Sequence, residues 1–332
     1  MNAYYRPLVQ SGALRPVTAQ PLAGGALWFT HAERLSRSGE GAIVAAQDIP
    51  EADLDRLTRP RPPIAGVHMD APVIMGILNI TPDSFSDGGR HATVETALAG
   101  ARDMLAQDVP ILDVGGESTR PGSDAVDVET EIARTAPVIA AIRAETGALI
   151  SIDTRKVAVA EAALQAGAGL VNDVSGFTHD PDLAPLCART GVPVCIMHAR
   201  GDPKTMQDNP IYEHVLLDVY DFLAGQIALL EAAGVPRARI IADPGIGFGK
   251  TLEHNLALLK GISLFHGLGC PVLLGASRKR FIGTLGRAAQ AADRAPGSIA
   301  VALAAAAQGV QILRVHDVAE TAQALRLWAA VR

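Results

Sequence analysis

Polar and acidic residues that could bind a ligand or catalyse a reaction follow directly after a short apolar stretch near the end of the first quarter of the chain. Residues 73–78 are apolar, and the chain then runs through Asn79 into a loop rich in carboxylates, hydroxyls and glycines, including Asp83 and Asp87. Amide and carboxylate oxygens grouped after a strand can hold a polar ligand or a hard cation. The loop is therefore a candidate part of a functional site.

The same arrangement recurs along the chain. Eight apolar, β-branched runs each end in or just before a polar residue, and these residues are Asn79, Asp113, Asp153, Asn172, His198, Asp243, Ser277 and Arg314. Burying eight such groups costs free energy unless they are paired or bind a ligand. The pattern predicts that the ends of the runs converge on one functional surface.

The spacing of these runs predicts the fold class. Strands are predicted over residues 73–80, 111–115, 149–153, 170–174, 194–198, 240–243, 272–275 and 312–315, with alanine-rich segments of helical periodicity between them. Near-continuous apolar strands favour a parallel sheet covered on both faces. Eight strand–helix units over about 260 residues predict an α/β fold, a (β/α)8 TIM barrel over residues 71–332, with its site at the carboxyl ends of the strands. A doubly wound open sheet is the alternative.

Residues 1–70 lack this repeat. Proline and glycine are frequent there, and the pattern predicts a short strand at residues 28–30, a helical start at 31–35 and an extended linker at 59–63. We expect an N-terminal extension that packs on the barrel, and its sequence indicates no role.

Composition excludes several classes of partner. The net charge is −6 and no long basic run occurs, so nucleic acid is not expected. No apolar stretch reaches the roughly 18 residues that span a bilayer, so no membrane partner is expected either. The first residues lack the apolar core of a secretory signal, and Cys187, Cys195 and Cys270 are unclustered. Free buried thiols and a cytoplasmic location are predicted.

Two local patterns imitate ligand sites. Residues 245–251 resemble a phosphate-binding loop, but three residues instead of four separate Gly245 from Gly249-Lys250-Thr251. The glycines instead predict a turn close to a flat ligand. His198 and His316 lie on different strands without a clear carboxylate third ligand, so we interpret them as hydrogen-bonding groups instead of zinc ligands.

The side chains at the predicted strand ends suit two ligands. The carboxylates of Asp153 and Asp243, with amides beside them, can accept hydrogen bonds from a heterocycle with several N–H groups. Arg314 and His316 would form an opposite corner for an anion such as phosphate. Asn79 and the loop after it could hold Mg²⁺ through a substrate phosphate, because magnesium often takes few protein ligands.

Seven motifs follow one another in order through the strand ends. They are NITPDSFSDGG at 79–89, GGESTRPG at 115–122, SIDT with a following lysine at 151–156, NDVSG at 172–176, DPGIGFGK at 243–250, SRK at 277–279 and RVHD at 314–317. Together they resemble the bacterial dihydropteroate synthase family over residues 73–330. The resemblance implies a transferase that joins (7,8-dihydropterin-6-yl)methyl diphosphate to 4-aminobenzoate, releasing pyrophosphate and 7,8-dihydropteroate.

The resemblance also implies individual roles, a Mg²⁺ cofactor and a homodimer. The implied catalytic residues are Asp153, Asp243, Lys279, Arg314 and His316. Those implied to bind the pterin diphosphate are Thr119, Asp153, Asn172, Met197, Asp243, Phe248, Gly275, Lys279, Arg314 and His316. Those implied to bind 4-aminobenzoate are Phe85, Arg120, Pro121 and Ser277, and Asn79 is the implied metal ligand.

The predicted mechanism is dissociative. No Ser/His or Cys/His pair is available to activate a weakly nucleophilic aromatic amine. We therefore expect C–O cleavage first, with Arg314, His316 and Mg²⁺ taking the charge of the diphosphate, and attack by the amine second. Asp153 and Asp243 would favour the pterin cation, and ordered loops would exclude water.

Some residues keep alternative interpretations. Asp113 and Glu117 could only support the second loop, Asp173 could be a loop cap, and Arg278 a surface or dimer-side group. Three rival functions also stay open: a pterin-binding methyltransferase, a non-catalytic pterin-binding paralogue, and a binding module whose active part is residues 1–70.

Overall fold

The computed structural model of the protein describes residues 3–39, 41–80, 90–118, 123, 125–201 and 206–331. The strands are β1 (Tyr4–Pro7), β2 (Gln20–Pro21), β3 (Trp28–Phe29), β4 (His31–Leu35), β5 (Ala42–Ala45), β6 (Val73–Asn79), β7 (Ile111–Gly115), β8 (Leu149–Asp153), β9 (Leu170–Asp173), β10 (Val194–Met197), β11 (Ile240–Asp243), β12 (Leu273–Leu274) and β13 (Ile312–Val315). The helices are α1 (Glu51–Thr58), α2 (Arg90–Leu105), α3 (Val128–Glu145), α4 (Val157–Gln165), α5 (Leu183–Thr190), α6 (Val215–Ala233), α7 (Leu252–Lys260), α8 (Arg280–Gly286), α9 (Ala295–Ala306) and α10 (Val318–Val331). Short 3₁₀ segments lie at Ala46–Asp48, Arg237–Arg239, Ile262–Leu268 and Ala292–Arg294.

Strands β6 to β13 form one parallel sheet that closes on itself. The strand order is β11-β10-β9-β8-β7-β6-β13-β12. Ala242 of β11 forms an isolated parallel bridge with Val272, and its N–H donates to Pro271 O at 2.9 Å. These contacts join the two ends of the sheet. The predicted (β/α)8 barrel is confirmed and the open sheet is excluded.

The predicted barrel strands lie where the periodicity placed them. Four of them, β7, β8, β11 and β13, have the predicted bounds. The largest difference is β12, which covers two residues instead of the predicted 272–275. The chain leaves the sheet early there because Gly275 begins the turn that carries Ser277 and Lys279 into the barrel mouth.

An apolar layer fills the barrel at the amino ends of the strands. Its strand members are Met75, Ile111, Leu149, Leu170, Cys195, Ile241, Leu273 and Ile312. Ile64 and Met69, from the segment before β6, pack against this layer and complete it. The barrel is therefore closed by apolar contacts at this end, and its polar interior residues lie toward the carboxyl ends of the strands.

The first 70 residues contain a small antiparallel sheet that packs against the barrel through side-chain contacts with α6. Strands β1, β4 and β5 pair antiparallel, with β4 in the middle. Tyr4 Oη donates to both carboxylate oxygens of Asp221 in α6, at 3.0 and 2.9 Å. Arg37 pairs with Asp218 at 2.8 Å and with Asp221 at 2.6 Å. The sheet is thus tied to the outer helix α6.

One expectation for this segment was wrong. Residues 31–35 are a strand instead of a helical start, because β4 finds hydrogen-bonding partners on both sides, which no local pattern reveals. Residues 59–63, predicted as an extended linker, form no helix or strand and pack against the barrel. Arg61 is buried, and its guanidinium donates to the carbonyls of Arg56, Arg59 and His266.

The structure also describes the cysteines and the length and apolar content of the helices. Cys187, Cys195 and Cys270 are buried free thiols, as predicted. Among the described residues, no helix is both long enough and apolar enough to cross a membrane.

Candidate active site

Arg314 of β13 reaches across the barrel interior to two carboxylates. Its Nε donates to Asp113 Oδ2 at 2.6 Å, and its Nη2 donates to Asp153 Oδ2 at 2.7 Å. Asn172 Nδ2 lies 3.3 and 3.4 Å from the two carboxylate oxygens of Asp113, which is fully buried. The expected anion corner at Arg314 and the expected carboxylate corner therefore meet in one network.

The pKa of the buried Asp153 is raised to about 7. Burial is the main cause, the positive charge of Arg314 opposes the rise, and the negative charge of Asp113 adds to it. Asp153 Oδ1 is buried and accepts no hydrogen bond from the described part of the chain. This oxygen is a vacant acceptor at the mouth of the barrel, of the kind that a ligand N–H would satisfy.

Asp243, Lys279 and Phe248 form the second part of the site. Asp243 Oδ1 accepts from Gly245 N at 2.7 Å, and burial raises the pKa of Asp243 while Lys279 lowers it. Lys279 Nζ donates to Ile246 O and lies 4.2 Å from the centre of the Phe248 ring. Burial lowers the pKa of Lys279 to about 7, against the attraction of Asp243. The pKa values of Asp153 and Lys279 therefore both lie near neutral pH.

Gly275 and Met197 border this part of the site. A Cβ at Gly275 would lie 3.6 Å from Asp243 Oδ2 and 3.9 Å from Arg314 Cδ, so any side chain there would occupy the space between the carboxylate and the guanidinium. Met197 ends β10, is buried, and pairs in register with Asp243. Both residues lie where the resemblance places the pterin.

The glycine turn after β11 is shaped by the protein itself. A Cβ at Gly245 would lie 1.9 Å from His198 O, and one at Gly249 would lie 2.4 Å from Arg200 O. The glycines therefore allow close contact with the loop after β10, whereas a nearby ligand was expected to require them. Lys250 Nζ crosses the same interface, 2.8 Å from His198 Nδ1 and 3.0 Å from Phe248 O.

His198 is neutral chiefly because it is buried. Burial, with the Lys250 charge second, lowers the pKa of His198 to about 2, and burial also lowers the pKa of Lys250. The neutral ring can accept a hydrogen bond from Lys250 Nζ. Within the described residues, no group of three or more His, Cys, Asp or Glu side chains is arranged to hold a metal. His198 is a hydrogen-bonding group here, as interpreted from the sequence.

Ser277 and His316 join the loops after the last two strands. His316 N lies 3.2 Å and His316 Nδ1 lies 3.1 Å from Ser277 Oγ. On the opposite side of the mouth, Asn79 and Asp153 flank Gly115. A Cβ on Gly115 would lie 3.6 Å from Asn79 Oδ1 and 3.8 Å from Asp153 Oδ2. The amide of Asn79 therefore faces the same small space as the Asp153 carboxylate.

A buried ion cluster joins the two ends of the second loop, which is the segment between β7 and α3. Lys156 Nζ donates to Glu117 before the loop, to Val126 O at 2.5 Å after it, and to Glu131 at 2.6 Å in α3. Arg155 Nη2 adds a bond of 2.9 Å to Glu117. The structure thus favours the supporting interpretation of Glu117. Asp113, in contrast, holds Arg314 and belongs to the site.

Asp173 caps the loop after β9, as its alternative interpretation has it. Its Oδ1 accepts from Ser175 N at 2.7 Å, and its Oδ2 accepts from Phe177 N at 2.7 Å. Four predicted site residues, Phe85, Thr119, Arg120 and Pro121, lie outside the described residues, as do Asp83 and Asp87. The other predicted site residues all lie at the carboxyl end of the barrel.

Sequence reasoning undervalued two residues that the structure places in or beside the site. Asp113 interrupts the apolar run of β7, and this was the available signal that it faces the interior. Lys250 was set aside with the phosphate-loop pattern, and nothing local reveals that its ammonium folds back to His198.

The family described as pterin binding enzyme matches residues 75–316. The dihydropteroate synthase of Escherichia coli (strain K12) is 45% identical over 261 residues, which cover 79% of this chain and 92% of that protein.

Two solved structures of Xanthomonas albilineans dihydropteroate synthase share the fold. One, with 4-aminobenzoic acid, has a TM-score of 0.76 at 45% identity and covers 80% of this chain and 96% of that one. The other, in complex with 7,8-dihydropteroate, has a TM-score of 0.72 at 42% identity, with coverages of 80% and 95%. The similarity spans the barrel.

Proposed function

This chain belongs to the dihydropteroate synthase family of pterin-binding enzymes, and from that membership we propose how its barrel mouth carries out the reaction. The chain is a transferase that condenses (7,8-dihydropterin-6-yl)methyl diphosphate with 4-aminobenzoate, giving 7,8-dihydropteroate and pyrophosphate. The observation that carries the proposed site is the buried Asp153 Oδ1, which has no hydrogen-bond partner among the described residues and lies on β8 in register with Asn172 of β9.

The pterin ring lies between these groups in our proposal. Asp153 Oδ1 and the second oxygen of Asp243 accept ring and amino N–H groups, and Asn172 completes the polar edge. Lys279 donates to the carbonyl side of the ring, while Phe248 and Met197 wall its faces. Two observations support these assignments: the acceptor residues are buried, and Lys279 Nζ lies 4.2 Å from the centre of the Phe248 ring.

Arg314 can serve the diphosphate without leaving its carboxylates. The two bonds to Asp113 and Asp153 use two of the five N–H groups that a guanidinium carries. The remaining N–H groups are available for phosphate oxygens, with His316 and Thr119 beside them in this proposal. Asp113 and Asp153 therefore orient Arg314 for the anion instead of competing with it.

The residues at the mouth fit a Mg²⁺ ion that takes most of its ligands from diphosphate and water. Asn79 Oδ1 offers one amide oxygen near Asp153, and the described residues contain no carboxylate cage that would hold the ion alone. When bound, the ion would neutralise charge on the departing diphosphate. Asn79 is the residue we assign to it.

We keep the dissociative order of steps. The C–O bond to the diphosphate breaks first, and the electron pair leaves with the pyrophosphate, which Arg314 and His316 hold. Asp153 and Asp243 stabilise the positive charge left on the pterin. The amine of 4-aminobenzoate then attacks and loses a proton.

The aminobenzoate pocket is formed in this proposal by Ser277, Phe85, Arg120 and Pro121. The homodimer and the cytoplasmic location stay predictions.

The test is pyrophosphate release from purified protein with the dihydropterin diphosphate and Mg²⁺, with and without 4-aminobenzoate. We expect Mg²⁺-dependent release with dihydropteroate formation, and slower release without the amine if cleavage comes first. Asp243→Asn should lose both, since it removes the charge that favours the cation. Bound pterin with no release under any condition would instead support the non-catalytic paralogue.

A further inference from the structure

The turn between β12 and α8 holds a non-glycine residue in a strained backbone conformation. Arg278 has a φ of 58°, in the left-handed region that residues other than glycine rarely adopt. Its N–H donates to Ser298 Oγ at 2.8 Å, and its carbonyl accepts from Arg294 Nη1 at 3.0 Å. Two residues at the start of α9 thus clamp the backbone of Arg278 from both sides.

The side chain of Arg278 is held as firmly as its backbone. Its Nε donates to Asp317 Oδ2 at 3.1 Å, and its Nη2 donates to Asp317 Oδ1 at 2.5 Å. Asp317 is only 8% exposed, and its carbonyl accepts from Thr321 N at 3.0 Å in the first turn of α10. A two-point ion pair of this kind fixes both direction and distance. It joins the loop after β12 to the loop after β13.

The left-handed turn sends the two neighbours of Arg278 to different parts of the mouth. Ser277 faces His316, with its Oγ 3.1 Å from His316 Nδ1. Lys279 turns the other way, donates to Ile246 O and lies over Phe248. The aminobenzoate side and the pterin side of the proposed site therefore meet at Arg278.

We propose that Arg278 is a positioning residue whose ion pair with Asp317 fixes Ser277 and Lys279 relative to each other. This inference rests on the proposed function, since it assigns one neighbour to each substrate. Arg278 itself touches neither substrate. It acts by holding a strained turn in the one conformation that presents both side chains to the mouth.

The experiment measures kcat, both KM values and thermal unfolding for Arg278→Met, Arg278→Gly and Asp317→Asn. A misplacement of about 1 Å can cost a hundredfold in rate, so we expect kcat/KM for each substrate to fall about ten- to a hundredfold, largely through higher KM values. A variant that is merely misfolded would lose active enzyme and hence kcat, with both KM values unchanged. Arg287→Met is the matched control, because Arg287 is exposed and has a similar φ of 54°.

The glycine variant separates stability from positioning. Glycine adopts positive φ without strain, so Arg278→Gly should unfold at or above the temperature of Arg278→Met and still lack normal KM values. The double variant Arg278→Met/Asp317→Asn should be no worse than either single one, since both remove the same pair.

Two results would overturn the inference. One is wild-type KM values in Arg278→Met or Arg278→Gly while the wild-type enzyme is active. The other is additive losses in the double variant. An inactive wild-type protein would be a different result, since that would contradict the proposed function before any variant is compared.

Discussion

At the scale of single residues, two groups at the barrel mouth titrate near neutrality for opposite reasons. Burial raises the pKa of Asp153 to about 7 and lowers the pKa of Lys279 to about 7. Asp153 must be ionised to stabilise positive charge on the pterin and to keep its ion pair with Arg314, and it loses its charge as the pH falls through 7. In the proposed site, Lys279 must be protonated to donate as an ammonium to the carbonyl side of the pterin. It loses this proton as the pH rises through 7.

The first prediction follows from these two pKa values. The kcat/KM for the pterin substrate should peak near neutral pH and fall on both sides between about pH 5.5 and 9. In Lys279→Arg the alkaline fall should disappear, because arginine stays charged throughout this range, and the acid fall should remain. Overall activity should drop about tenfold because the fork of arginine differs in shape. An unchanged alkaline fall in this variant would show that another group sets it.

Asp113 leads to a second prediction. Its negative charge raises the pKa of Asp153, so Asp113→Asn should move the acid fall to lower pH. The kcat/KM at neutral pH should fall at least about tenfold, since Arg314 loses one of the two carboxylates that aim it. The measurement is the pH profile of the variant beside that of Asp182→Asn, an exposed aspartate at the start of α5. An acid fall at the wild-type pH would refute the coupling.

Sequence alone located the acceptors of the site but not the direction of its long side chains. Asp153, Asn172 and Asp243 could be predicted because strand alternation and strand ends fix where a short side chain points. Arg314 was predicted as a site residue, but its contacts with Asp113 and Asp153 were not, because these partners lie on strands separated from it by β6 and its long stem can turn several ways. Arg278 was left as a surface or dimer-side group because its backbone conformation depends on Ser298 and Arg294, which come later in the chain.

At the scale of elements, Lys156 joins the two described ends of the second loop to α3. The ammonium bonds residues on both sides of the loop and a glutamate of α3, and all of these groups are largely shielded from water. Ion pairs of this kind give little net stability but are costly to break from one side only. The cluster therefore fixes a geometry more than it adds free energy.

The third prediction tests this cluster by a double substitution. Lys156→Met should lower the free energy of unfolding by about 3 kcal/mol, because it leaves the Glu131 charge buried without its partner. Adding Glu131→Gln should recover part of that loss, since no uncompensated charge then remains. Lys260→Met, at the exposed end of α7, is the control and should change stability by less than about 0.5 kcal/mol. Denaturant titration of these three variants and the wild type gives the result, and a double variant that is no more stable than Lys156→Met would contradict it.

Elements were predictable where they pair with neighbours in a regular repeat. The barrel strands follow from apolar runs between helical segments, since the periodicity of each run is enough to identify it. Strand β4 was missed because its identity comes from β1 and β5 on either side, and residues 31–35 have no apolar alternation of their own.

At the scale of the whole molecule, residues 1–70 are part of the barrel's structure. Tyr4 and Arg37 attach them to α6, and Ile64 and Met69 complete the apolar layer at the closed end. The family match begins only at residue 75, so these contacts come from residues that precede the matched region.

The fourth prediction compares two isoleucines of this segment. Ile64 is 1% exposed and Ile43 is 70% exposed. Ile64→Ala should lower the free energy of unfolding by about 2–5 kcal/mol through the cavity it leaves, whereas Ile43→Ala should change it by less than about 0.5 kcal/mol. Equal effects in a denaturant titration would show that the segment does not support the barrel.

The closed end of the barrel also orders events in time. Ile64 and Met69 are synthesised before any barrel strand, yet the layer they complete needs residues from all eight strands, including Ile312 of β13. These early residues cannot make all of their final contacts until the last strand has docked. The complete apolar layer therefore forms only in the closed barrel, although its first members are among the earliest residues synthesised.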